Sequence, residues 1–231
     1  MSGAVIGAEA GAVGGPIGMA AGAVIGLIVT VVAAKALSNA ISHANDKADA
    51  QLKDADTAQP CHDCGDGPDC FEPPDRSDPD SLAEFRRQLK GQQDGINQMS
   101  PQEVIDGIDK YAAQGRSGYP GESAMRKAFR QQAWNDEYDR VLEETGDKAA
   151  ATKQADEALR GTAALHNPDL VAGGGPQPTD IGGASENSSM GSQWAKKGPS
   201  SQMTRAQQLR KAAEKAKAEG KQKMDVTLDE C

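Results

Sequence analysis

The sequence predicts a mainly α-helical domain over residues 81–204, with long appendages on both sides. Three observations carry that expectation. Apolar residues recur at helical spacing, helix start and stop signals bracket them, and the alternating β-branched runs expected of strands are absent. The 231-residue chain is only 3% aromatic against 26 Gly and 12 Pro, so bulky side chains are too few for one core along its whole length. The net charge of −9 is unevenly spread. Lys196, Lys197, Arg205, Arg210, Lys211, Lys215, Lys217, Lys221 and Lys223 face only Glu214 and Glu219, so an acidic chain carries a basic arm.

Residues 1–58 form the first region. No charged residue stands between Glu9 and Lys35, and as a helix rising about 1.5 Å per residue this run exceeds a hydrocarbon core of about 30 Å. Its glycines repeat every four residues as Gly3, Gly7, Gly11, Gly15 and as Gly14, Gly18, Gly22, Gly26, which places each series on one helix face. Interior glycines make a poor solitary helix in water, costing about 1 kcal/mol each, but allow close backbone packing in lipid. The pattern reads as a glycine zipper that acts on membranes, with a buried helical hairpin or an unstructured leader as alternatives. The first basic residue, Lys35, lies behind the apolar run, unlike a cleavable secretory signal. Synthesis in a reducing cytoplasm, with export by another route, is the expectation.

Residues 36–58 continue as a polar helix, and residues 59–80, with Pro60, Pro68, Pro73, Pro74 and Pro79, read as a solvated tether. Within it Cys61, Cys64 and Cys70 have part of the spacing of a Zn²⁺ knuckle. With the fourth ligand missing, reduced unliganded thiols are the first reading and a structural zinc the second.

After the tether, Ser81-x-x-Glu84 reads as a capping box. Ser100-Pro101-Gln102-Glu103 is a stronger one, before a stripe of Val104, Ile105, Ile108, Tyr111 and Ala112 that stops at Gly115. A helix over 122–144, with Met125, Phe129, Ala133, Tyr138, Val141 and Leu142 on one side, stops at Gly146. A shorter Ala-rich helix runs from Asp147 to about Arg160. The last helix runs from Thr204 to about Gly220 and opens the basic C-terminal helix and tail of 205–231, and its scarcity of bulky apolar residues predicts that it is solvated or docked on a partner.

Chemistry concentrates in Leu165-His166-Asn167-Pro168-Asp169, followed by Gly173, Gly174 and Gly175. Asn-Pro-Asp alone reads as a turn. That turn also brings His166 near Asp169, at the end of a helix whose carbonyls favour a cationic imidazole. His is a base near neutrality and Asp a hard ligand for Mg²⁺, the two roles phosphodiester hydrolysis needs. The glycine N–H groups are candidates for a phosphate, and the basic arm for counterion release on nucleic acid, with a merely solvated Lys-rich helix as its alternative.

His166-x-x-Asp169, the glycines Gly173 and Gly174, and Asn187-Ser188-Ser189-x-Gly191-Ser192-Gln193-Trp194 together resemble the HxxD polymorphic-toxin nucleases of the novel toxin 15 family, over residues 81–204. The resemblance implies a metal-dependent DNase with His166 and Asp169 catalytic. It also implies Gly173, Gly174, Asn187, Ser188, Gln193 and Trp194 at the substrate, and Mg²⁺ on Asp169. Gly175 stands where the family pattern has an acidic residue, and Asp180 is the substitute ligand. Implied partners are DNA, a cognate immunity protein, and the adaptor and spike of a type VI secretion system. These would carry the chain from the producer cytoplasm into a target cell, where the glycine zipper assists passage through the inner membrane. A pore-forming toxin, an RNase of the same architecture and a membrane-tethered scaffold are the competing readings.

Overall fold

The computed structural model describes residues 67–231, so the glycine zipper, Cys61 and Cys64 lie outside the described residues. Six helices and a two-stranded sheet follow one another: α1 Pro79–Gln98, α2 Pro101–Gln114, α3 Glu122–Thr145, α4 Lys148–Ala158, β1 Thr162–Leu165, β2 Asp180–Gly183, α5 Ala184–Trp194 and α6 Arg205–Ala218. Short 3₁₀ turns at Gly115–Gly118 and Leu170–Ala172 interrupt the connections. Among the described residues, no helix is long and apolar enough to cross a membrane.

Most starts follow their sequence signals. Ser100 and Glu103 form the reciprocal capping box of α2, and Val104, Ile105 and Ile108 bury its stripe. Gly146, in the left-handed conformation, stops α3, and the Asp147 side chain caps α4. Helix α1 departs from expectation. Asp78 is its cap and Pro79 its first residue, so the helix begins before Ser81. Ser81 and Glu84 instead reach across to α5 and β2, through Ser81 Oγ to Glu186 Oε1 at 2.6 Å and Gly183 N to Glu84 Oε1 at 2.8 Å.

Helix α6 also departs from the solvated arm expected of it. Leu209, Ala212, Ala213 and Ala216 are buried, joining a core built on Phe71, Phe85, Ile96, Val104, Met190 and Trp194. Alanine suffices there because small side chains let α6 lie close against α2, where bulk would hold the helices apart. Arg205 turns inward, its guanidinium on the carbonyls of Asp69 and Cys70, while Arg210 pairs with Asp109 and Glu214.

The segment after α6 is extended, with Met224, Val226 and Leu228 buried at every second position. Asn97 holds Val226 by both its N–H and its carbonyl at 2.9 Å, and Gln93 Oε1 accepts from Leu228 N at 3.0 Å. The chain then runs parallel to Phe71, and Cys231 forms a disulfide with Cys70. The reduced Cys70 expected from the sequence, and with it Cys70 as a zinc ligand, is therefore corrected: its partner is a cysteine 161 positions away that three-dimensional packing delivers.

Closing so long a loop restricts the unfolded chain by as much as about 5 kcal/mol. Cys231→Ser should lower the unfolding free energy by several kcal/mol in urea titrations, and reductant should do the same to the wild-type chain but not to the variant.

Candidate active site

Pairing of β1 with β2, from Thr162 opposite Gly183 to Leu165 opposite Asp180, closes residues 166–179 into a loop. Neither strand was legible in the sequence, because both are four residues long and rich in Ala and Gly. The loop lies directly on α1. A Cβ at Gly91 would stand 2.9 Å from the Asn167 side chain, and one at Gly95 2.5 Å from the Asn167 carbonyl. Between them the buried Gln92 clamps the segment. Its Nε2 donates to His166 O at 2.8 Å and to Asn167 Oδ1 at 3.2 Å, and its Oε1 accepts from Asp169 N at 2.7 Å.

His166 follows a strand, not the helix end the sequence suggested, so no helix dipole favours its cationic form. The ring is 7% exposed. Its Nε2 lies 3.1 Å from Pro176 O and 3.6 Å from Glu122 Oε1. With Nε2–H donated to the carbonyl, the neutral ring keeps its lone pair on Nδ1. Burial lowers the pKa below the usual histidine value; the Pro176 carbonyl and the carboxylates of Glu122 and Asp169 pull the other way without reversing it. The result is a neutral imidazole held ready to accept a proton.

Glu122, at the start of α3, is buried yet paired with Arg116 Nη1 at 3.1 Å and Arg126 Nε at 2.7 Å, two guanidiniums that stay about half exposed. Sequence reasoning missed Glu122, Arg116, Arg126 and Gln92, which lie far from His166 along the chain. The Gly91-x-x-x-Gly95 spacing around Gln92 was the available signal that something packs closely there.

Asp169 caps the 3₁₀ turn through Oδ1, which accepts from Val171 N at 3.0 Å, while Oδ2 faces Gly191 of α5, where a Cβ would approach to 3.2 Å. This glycine cradle and hard oxygen suit a hydrated Mg²⁺, which needs only one or two carboxylates beside water and phosphate. Among the described residues no group of three or more His, Cys, Asp or Glu side chains is arranged to hold a metal ion.

Other expected site residues lie elsewhere. Asp180 pairs with Arg87, whose guanidinium it shares with Glu84. Gly173 and Gly174 are buried, with N–H groups bonded to Leu170 O and Asp169 O, so they shape the loop and are not presented to a phosphate. Gln193 holds the Glu72 backbone through both ends of its amide, and Trp194 is fully buried edge-on against Phe71. Both are structural. Asn187 is half-buried one turn before Gly191 on the same α5 face, and Ser188 is exposed.

A family model described as novel toxin 15 matches residues 79–231, from α1 through the Cys231 tail. The chain matches no curated protein.

Two outcomes follow from the geometry. A neutral buried histidine stabilises the fold above about pH 6.5, and that contribution is lost as pH falls through this value toward the lower folded pKa. Urea unfolding from pH 7.5 to 5 should show stability falling more steeply in the wild type than in His166→Gln. Gly95→Ala gains about 1 kcal/mol of helix propensity. It places a methyl group against the Asn167 carbonyl, an overpacking cost of about 1–3 kcal/mol. A net loss of thermal stability is expected.

Proposed function

The chain belongs to the novel toxin 15 family, a polymorphic toxin family, and from that premise we propose that it is an antibacterial toxin that hydrolyses phosphodiester bonds in the DNA of a target cell. The observation that carries the reading is the joint placement of His166 and Asp169 by one glutamine clamp. The Nδ1 lone pair and an uncapped carboxylate oxygen belong to the same short loop.

In this mechanism His166 Nδ1 removes a proton from a water molecule whose oxygen bonds to phosphorus as the P–O bond to the leaving nucleotide breaks. The leaving oxygen then takes up a proton. Mg²⁺ on Asp169 Oδ2 would supply the charge that makes the phosphate electrophilic. Pro176 fixes which ring nitrogen is free, and Glu122 stabilises the imidazolium formed when Nδ1 is protonated. Arg116 and Arg126 hold the Glu122 carboxylate in place through their ion pairs, and their exposed sides add positive potential at the site.

A polymorphic toxin implies a cognate immunity partner that protects the producer. Type VI delivery by an adaptor and spike, and inner-membrane passage aided by the glycine zipper of residues 1–58, complete the proposal.

Purified chain with Mg²⁺ should degrade plasmid. His166→Ala or Asp169→Ala should lower the rate by about 100-fold or more while leaving far-ultraviolet circular dichroism unchanged. Undiminished cutting by either variant would remove the assignment, and preferential cutting of RNA would change the substrate.

A further inference from the structure

Helices α3 and α4 form an antiparallel pair whose outer side bears a cleft of about 390 Å³ lined by Lys127, Arg130, Gln131, Trp134 and Leu159. Arg130 donates to Thr162 Oγ1 at 2.9 Å and Leu159 O at 3.1 Å, fastening the cleft to the start of β1, the strand that ends one residue before His166. Glu122, beside the imidazole, and Arg130, in the cleft, are eight residues apart on α3, about 12 Å at about 1.5 Å per residue. Arg126 and Lys127 fall between them. Lys127 is exposed and makes no ion pair within the described residues. The half-exposed Trp134 is held rigid, stacked on Tyr138 with centroids 5.2 Å apart and 14° between planes, its Nε1 donating to Asp156 Oδ1 at 2.8 Å.

A fixed indole beside unpaired positive charge suits an unpaired nucleotide, whose base stacks on the ring and whose phosphate meets the cation. A duplex keeps its bases stacked on one another and offers no such face. Resting on the nuclease reading, we propose that this cleft is a single-strand subsite. It receives an unpaired nucleotide flanking the scissile phosphate, with the base on Trp134 and the phosphate on Lys127, so the enzyme engages locally opened nucleic acid.

The test uses the full chain with His166→Ala, titrated with an eight-residue oligothymidylate, the matching oligouridylate and a blunt duplex of equal length, followed by tryptophan fluorescence. Trp194 is sealed in the core, so Trp134 is the reporter. The single strand should quench emission and bind more tightly than the duplex, and the two oligonucleotides separate DNA from RNA. Trp134→Phe should remove the signal, and Trp134→Ala should weaken binding about 5- to 100-fold by fluorescence anisotropy with a labelled oligonucleotide. Lys127→Glu, a surface change that spares folding, should weaken binding and flatten its salt dependence. Equal affinity in Lys127→Glu and both Trp134 variants, or preference for duplex, overturns the subsite while leaving the nuclease intact. Trp134-dependent oligonucleotide binding by a wild-type chain that cleaves nothing overturns the nuclease and leaves the subsite.

Discussion

The site depends on one close approach, the seating of residues 166–169 on the glycine face of α1. Gly91 and Gly95 bring the loop backbone within reach of Gln92, whose amide satisfies two backbone groups and one side chain at once. A buried amide with all three bonds made resists rotation, since breaking any one strands a polar group away from water at about 1–3 kcal/mol. The imidazole and carboxylate inherit that rigidity. Their positions are set by a helix that carries neither of them.

Charge is organised by the same economy of position. Most of the arm that looked free to bind nucleic acid is occupied internally: Arg205 bonds carbonyls, Arg210 and Lys221 pair with acids, and Lys223 bonds the Gln98 carbonyl. Around His166 the arrangement is different. Glu122 is buried under two arginines that remain half exposed, so the carboxylate has its ion-pair partners in the interior while part of the positive charge faces outward. Overall acidity of −9 therefore says little about the field at the site.

The helical content of residues 79–231 was legible because caps and stops are local chemistry. Ser100 with Glu103, Gly115, Gly146 and Asp147 mark boundaries without help from the rest of the chain. The family, too, was readable in His166-x-x-Asp169 and the segment ending at Trp194. What stayed hidden required partners distant in sequence. Residues 162–165 and 180–183 become strands only because each finds the other. Gln193 and Trp194 read as polar and aromatic site residues, yet Glu72 and Phe71, more than a hundred positions earlier, occupy them. The alanines of α6 looked too small to bury until α2 lay beside them.

The bond between Cys70 and Cys231 has a mechanical meaning. Force applied to the polypeptide preceding Cys70 passes through sulfur to Cys231, a residue 161 positions further along, bypassing everything between them. While that link holds, a pull from the front cannot peel helices away one by one, and a narrow channel would have to admit a doubled strand. Only a thiol reductant converts the folded body into something that can be drawn through in single file.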